Sequence, residues 1–306
     1  MTTQTLTYGR VTWTDVRNVT PEDVRLLRTQ HPGFHPLDLE DLQSRIERPK
    51  IDEYDDYLFV VMQFPLWDAK SRVSRASEVD IFIGNGYVIT VHDGVLKPLD
   101  SVFHQCEHDE AARQKLMGKE ASRLFYAIID VLVDYIFPIM YKIDANIRAI
   151  EEDLFSRREM RRVIEDIAFV RRDVIALRRI IRPQIGIVAN LERVDRPFIH
   201  EELDVYFGDI LDHLQKASDL LSDHAEVIEA VADAADMLAS HRINEVMRIL
   251  TVISVIMLPL TLISGIYGMN INLPLNEHNL AFPVIMLLML TITITMLILF
   301  RRRGWL

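Results

Sequence analysis

The chain has 306 residues, room for about two domains, and 49% of them are hydrophobic because roughly the last sixty are nearly all apolar. A formal net charge of -11 excludes a nucleic-acid binder, whose phosphate contacts need clustered Lys and Arg. A single cysteine, Cys106, excludes an internal disulfide and fits a reducing compartment; it reads as a small buried side chain.

In chain order, MTTQTLTYGRVTW has neither a basic n-region nor an apolar h-region, so no cleavable signal is expected and the polar part of the chain is expected in the cytoplasm. Leu6 to Trp13 alternates as a strand does. Thr20-Pro21-Glu22-Asp23 is a helix start: a capping hydroxyl, proline in the first turn and acids at the positive end of the dipole. A second helix is expected over Pro36 to Gln43. Tyr57 to Phe64 reads as a buried strand, and Val79 to Ile83 and Tyr87 to Val91 flank Gly84-Asn85-Gly86, a tight hairpin turn. These elements predict an α/β module with a mixed or antiparallel sheet. It holds no glycine-rich phosphate loop, nucleophile elbow or Cys-x-x-Cys, so no enzyme is expected. Pro32-Gly33 breaks the helical register between His31 and His35, which argues against a metal site there. The acidic run Asp52 to Asp56 lacks the glycine and terminal Glu of an EF-hand loop and reads as a solvated turn.

From about Ala121 long helices take over. Leu124, Ile128, Leu132, Tyr135 and Ile136 recur at helical spacing, and the run continues to Glu151-Glu152-Asp153. A further helix is expected from Arg161 to Arg182, stopping near Pro183, with a partner after Gly186; its arginine pairs read as solvated faces. No Gly or Pro occurs from Asp209 until Pro259, so one helix roughly 75 Å long before that proline is predicted. A helix jointed near His241 is the alternative.

Ile249 to Ile266 carries no charge and suits a helical membrane crossing of about 20 residues. Stepping alternately by three and four residues from Asn244 visits Met247, Thr251, Ser254, Leu258, Thr261, Gly265 and Gly268, so one seam of this helix is small or polar. In a membrane such a seam faces protein or water: it is either a close-packed helix interface or the lining of a pore. Ala281 to Phe300 is a second uncharged span. The loop between them has no Lys or Arg, whereas Arg242, Arg248 and Arg301-Arg302-Arg303 lie at the other ends, which puts both termini inside and Met269 to Leu280 outside. Two spans cannot enclose an aqueous path, so a pore requires a ring of protomers.

Tyr267-Gly268-Met269-Asn270 closes the first span, Asn244-Glu245-Val246-Met247 opens it, and Pro259-Leu260-Thr261 lies within it. In these motifs, in the Leu39-Glu40-Asp41 run after His35 and in the basic end Arg301 to Leu306, the chain resembles the CorA superfamily of divalent-cation channels and transporters, two-span proteins with a GxN motif. The resemblance implies an α/β cytoplasmic domain followed by a long stalk helix and two transmembrane helices per protomer, in a funnel-shaped homopentamer in the cytoplasmic (inner) membrane of a bacterium or archaeon. The expected layout is a domain over 1–200, stalk over 201–243, pore-lining span over 244–267, outer loop over 268–280, second span over 281–300 and basic tail over 301–306.

By the same resemblance, Gly268, Met269 and Asn270 form the selectivity filter and Asn244 a polar ring at the cytoplasmic end. Met247 and Leu258 are the apolar constrictions, and Thr251, Ser254, Thr261 and Gly265 line the path between and beyond them. Regulatory Mg²⁺ is implied between neighbouring subunits, on Asp41 and Asp209, with Glu40 and Asp130 as further ligands. Two carboxylates about 4 Å apart repel by roughly 4 kcal/mol at an intermediate dielectric, and a divalent ion reverses that sign. The loop Leu273-Pro274-Leu275-Asn276-Glu277 departs from the family's Met-Pro-Glu-Leu pattern, moving its acid to Glu277. Mg²⁺ is the expected ion, transported and regulatory, with a Zn²⁺-transporting ZntB-like protein, or a Co²⁺ or Ni²⁺ preference, as the alternative. A membrane-anchored sensor or scaffold is the remaining class.

Overall fold

A computed structural model describes residues 3–44, 47–156, 160–194, 196–199, 203–269 and 280–305. The chain divides into two compact units, Met1–Ala232 and Asp233–Leu306.

Among the described residues of the first unit, six strands form one mixed sheet in the order β1-β2-β6-β5-β4-β3. The strands are β1 Thr3–Tyr8, β2 Val11–Arg17, β3 Lys50–Glu53, β4 Tyr57–Asp68, β5 Val73–Gly84 and β6 Tyr87–His92. The alternation over Leu6 to Trp13 is therefore not one strand but two, paired antiparallel across a turn at Gly9-Arg10 with Tyr8 opposite Val11. A period of two continues through a tight turn, so alternation alone does not reveal it. β2 and β6 are the parallel pair. The β5–β6 turn is the two-residue loop Asn85-Gly86, and Gly86 has φ +83° with the Arg10 carbonyl 2.8 Å from where a Cβ would stand. Only glycine fits that turn.

One face of the sheet packs Val16, Phe59, Val61, Phe82, Ile89 and Val91 against Val24 and Leu27 of α1 (Pro21–Gln30) and Leu39 of α2 (Pro36–Asp41). α1 starts where its residues predict: Thr20 accepts from the Asp23 backbone N–H, and Asp23 accepts from that of Thr20. His35 caps α2, its Nδ1 accepting from the Leu37 N–H at 3.3 Å, while His31 stacks on Phe34. The other face carries a buried network in which the Asp15 carboxylate accepts from Thr90 at 2.6 Å and Arg17 at 2.9 Å and pairs with His92 at 3.0 Å. Trp13 meets Phe103 of α3 (Lys97–His108) edge-on at 4.9 Å.

The helices that follow α3 are α4 Glu110–Met117, α5 Ala121–Asp134, α6 Ile136–Leu154 and α7 Met160–Leu191. The stretch Ala121–Leu154 is long and apolar enough to span a bilayer, but half of its most apolar window is buried, Leu124, Phe125, Ile128, Ile129, Leu132 and Ile136 included, which makes it part of the folded first unit. α7 does not stop near Pro183; it runs on through Gly186 to Leu191. Pro183 forfeits one backbone bond, and continuous burial of Ile180, Ile181, Gln184, Ile187 and Val188 outweighs the loss. Gln184 ties the turn down by donating to the carbonyls of Ile180 at 3.1 Å and Gln63 of β4 at 3.0 Å.

α8, Asp204–Tyr267, is one unbroken helix of 64 residues that runs through both units. Within the first, Phe207, Ile210, Leu214, Ala217 and Leu221 form a buried stripe, with Phe207 against Phe125 of α5. The second unit pairs the rest of α8 with α9, Ala281–Arg302.

Candidate functional site

From Ile249 onward, the covered or partly covered residues of α8 are Val252, Ile256, Pro259, Leu260, Ile263 and Tyr267. On α9 they are Ile285, Met289, Ile292, Thr293, Met296 and Phe300. At about 100° per residue each set falls within an arc of about 100°, so each marks one helix face. The two faces meet in an antiparallel pair, and Arg248 at the start of the apolar stretch donates to the Gly304 carbonyl at 3.3 Å beyond the end of α9.

The seam from Asn244 lies on the other side. At about 100° per residue, Met247, Thr251, Ser254, Leu258, Thr261 and Gly265 centre nearly opposite the Val252–Tyr267 stripe. All are exposed, Leu258 by 70% and Met247 by 57%. An open groove of about 640 Å³ runs along this side, lined among others by Ser254, Leu258, Thr261, Gly265 and Met269. Two hydroxyls on this side are engaged with the helix backbone. Thr251 donates to the Met247 carbonyl at 2.7 Å and Thr261 to that of Met257 at 2.9 Å. A hydroxyl has one proton and two lone pairs; with the proton turned onto the helix, only acceptors face outward.

At the end of α8 the Gly268 N–H donates to the Ser264 carbonyl at 2.9 Å, and that oxygen lies 3.0 Å from where a Gly268 Cβ would stand. Glycine lets this last turn close tightly. Asn270 and Glu277 lie outside the described residues.

The four predicted acids of the first unit fall into two separate groups. Asp41, at the end of α2, is paired with Lys50 at 2.7 Å, and Lys50 also holds Asp52 at 2.6 Å. Burial alone would lower the Lys50 ammonium's pKa, but the bonds to Asp41 and Asp52 outweigh it and raise it. Glu40 is exposed beside this pair, whereas Asp38 is buried and accepts from the Tyr57 hydroxyl at 2.7 Å and that of Tyr54 at 3.1 Å. Asp130 and Asp209 belong to the other group. Burial, then the nearby charges of Asp134 and Asp209, raise the Asp130 carboxyl's pKa against the opposing influence of Tyr126 and His213. His213 stands 3.5 Å from Asp134.

Lys50, Asp134 and His213 escaped sequence reasoning. Asp134, one helical turn beyond Asp130, was the legible one. Lys50 reaches Asp41 from the neighbouring strand β3, and His213 reaches Asp134 from α8, far along the chain.

This architecture, an α/β unit followed by one long helix and a second apolar helix, matches a known family along nearly its whole length: residues 8–302 fit the model of the CorA-like Mg²⁺ transporter protein. The chain belongs to the CorA-like Mg²⁺ transporter family. Among CorA relatives, the cobalt/magnesium transport protein of Thermotoga maritima is 29% identical over 296 residues, 96% of this chain and 83% of that one. The Bacillus subtilis protein YfjQ is 32% identical over 298 residues, 96% of this chain and 89% of the other. The complete structure of the CorA magnesium transporter from Methanocaldococcus jannaschii superposes with a TM-score of 0.86 over 98% of this chain and 94% of its own, at 22% identity, and so shares the fold. As in CorA-family proteins generally, the apolar carboxy-terminal helices are transmembrane helices.

Proposed function

We propose that the chain is one protomer of a divalent-cation channel of the CorA type, with Mg²⁺ as its principal ion and five copies arranged so that the Asn244–Gly268 seams surround a common axis. The observation that carries this is the seam's position and chemistry: bare, opposite the α9-packed face, with Thr251 and Thr261 turning only acceptor lone pairs outward. Mg²⁺ dehydrates reluctantly, and the waters of its shell present hydrogens, which acceptors bind. A ring of Asn270 carbonyls next to Gly268 and Met269 selects by size and hydration; Asn244 forms a polar ring at the opposite end. Met247 and Leu258 form apolar constrictions that block ions when dry.

Gating follows from the two acid groups. Asp41 and Asp209 lie in separate groups within one chain, which suits an ion shared between neighbouring protomers, assisted by Glu40 and Asp130. Mg²⁺ there clamps the ring shut, and its loss lets the long helix shift at Met247 and Leu258. The protein sits in the cytoplasmic membrane with both termini inside, as the arginine distribution directs.

The deciding experiment is uptake of Mg²⁺ or Zn²⁺ into ion-free proteoliposomes. Wild-type protein takes up Mg²⁺, and Asn270→Ala lowers uptake by about tenfold or more. Unchanged uptake in Asn270→Ala removes the filter assignment; no uptake by wild type leaves the seam as a helix interface in an anchor. Preference for Zn²⁺ places the chain with ZntB-like transporters instead.

A further inference from the structure

α3 ends in His104-Gln105-Cys106-Glu107-His108 before Asp109 caps α4. Separations of three and four residues place positions 104, 107 and 108 side by side on one helix face. His104 Nδ1 lies 3.2 Å from Glu107 Oε2, and His108 Nδ1 lies 3.4 Å from the same oxygen. One donor atom from each residue falls within 4.8 Å of the others.

Two donors bound to one tetrahedral metal at 2.0–2.1 Å stand about 3.3 Å apart. The hydrogen-bonded His104–Glu107 pair and the His108–Glu107 pair already stand at such a separation, and a side-chain rotation would bring the two imidazoles to it as well. The imidazoles meet edge to face at 73° with centroids 5.9 Å apart, so neither ring stacks over the other's nitrogens. The histidine side chains are 59% and 72% exposed, open to an arriving ion.

Beneath them the frame is fixed. Cys106 and Phe103 are fully buried, and Arg113 of α4 donates to the carbonyls of Cys106 and Glu107, holding the last turn of α3. No residue here belongs to the seam or to the two acid groups.

We propose that His104, Glu107 and His108 form a site for a borderline transition-metal cation, Zn²⁺, Co²⁺ or Ni²⁺, in the first unit. Two imidazoles and one carboxylate suit those ions, whereas Mg²⁺ takes oxygen ligands in a near-ideal octahedron. The chain thereby distinguishes a transition metal from Mg²⁺ at a place remote in sequence from the membrane spans. The site stands whether or not the channel reading does.

The test uses full-length protein in detergent, freed of chelators and of any purification tag, with saturating Mg²⁺ to fill oxygen-ligand sites. Co²⁺ is titrated and its visible d–d absorption recorded, then Zn²⁺ is added as competitor. The wild-type spectrum minus that of the His104→Gln/His108→Gln double variant is expected to show one nitrogen-ligated Co²⁺ per chain, displaced by Zn²⁺ and retained in excess Mg²⁺. Glu107→Gln is expected to weaken Co²⁺ binding by about tenfold. The side chains are exposed, so circular dichroism of the variants should match wild type. A null difference spectrum, or displacement of the histidine-dependent Co²⁺ by Mg²⁺, overturns the proposal.

Discussion

Glu78 contributes to the pH response of the first unit. It lines a cleft beside Leu42, Ser77, Asp80 and Asp93, where burial, and then the charges of Glu47, Asp41 and Asp93, raise its carboxyl from the ordinary 4.5 to about 7, against a hydrogen bond from the Glu47 N–H. Asp80 beside it is fully inside, with one carboxylate oxygen unpartnered, and burial raises its pKa as well. The folded state therefore holds the Glu78 proton up to about pH 7, while the unfolded chain releases it near 4.5. Stability from this group is present at low pH and lost as pH rises between those values. Glu78→Gln is expected to raise stability above pH 7 by about 1 kcal/mol after solvent screening. It should also reduce the decline between about pH 4.5 and 7 in thermal unfolding of the full chain in Mg²⁺-free detergent buffer; a decline as steep as wild type's would show that Glu78 does not contribute to it.

At the scale of the element, α8 carries a chemical division along its length. One face is covered by α9 and the opposite face carries Thr251 and Thr261 with their protons turned inward. α9 uses the same device, Thr291 donating to the Leu287 carbonyl at 2.8 Å, which satisfies a hydroxyl in lipid. The two helices are thus alike in backbone bonding and differ in proposed role. Replacing both Thr251 and Thr261 with Val is expected to lower Mg²⁺ flux severalfold while leaving thermal stability within about 0.5 kcal/mol, and Thr291→Val to change neither. Equal flux in all three proteins would place the seam against protein rather than water. Much of this was legible beforehand, because a run free of Gly and Pro and a repeat of three and four residues are properties of the helix alone. α7 was not: Pro183 signals a stop, and only burial of Ile180 to Val188 against the sheet carries the helix past it.

For the whole molecule, the arrangement of acids makes assembly the testable matter. Asp41 is neutralised by Lys50 within one chain, while Asp209 is exposed beside the Asp130 group. An ion that bridges Asp41 of one copy to Asp209 of the next must displace Lys50 or share its carboxylate. Asp209→Lys is expected to abolish Mg²⁺-dependent protection of the first unit from protease, with the proposed pentamer still observed by native mass spectrometry. Undiminished protection would count against a regulatory ion on Asp209.

What the amino-acid order alone determined is what depends on short separations: two uncharged spans of membrane length, the polar seam with its YGMN end, the arginine asymmetry, the capped start of α1 and the tight β5–β6 turn. Each follows from local geometry, since helix period, span length and turn conformation need no distant partner. Tertiary structure decided which face of α8 is covered, which acid is neutralised and which are crowded, and that Asp38, two residues before Glu40, is buried under two tyrosines. Those outcomes turn on groups from different secondary-structure elements being packed together, where burial and neighbouring charge, rather than residue type, set each side chain's state.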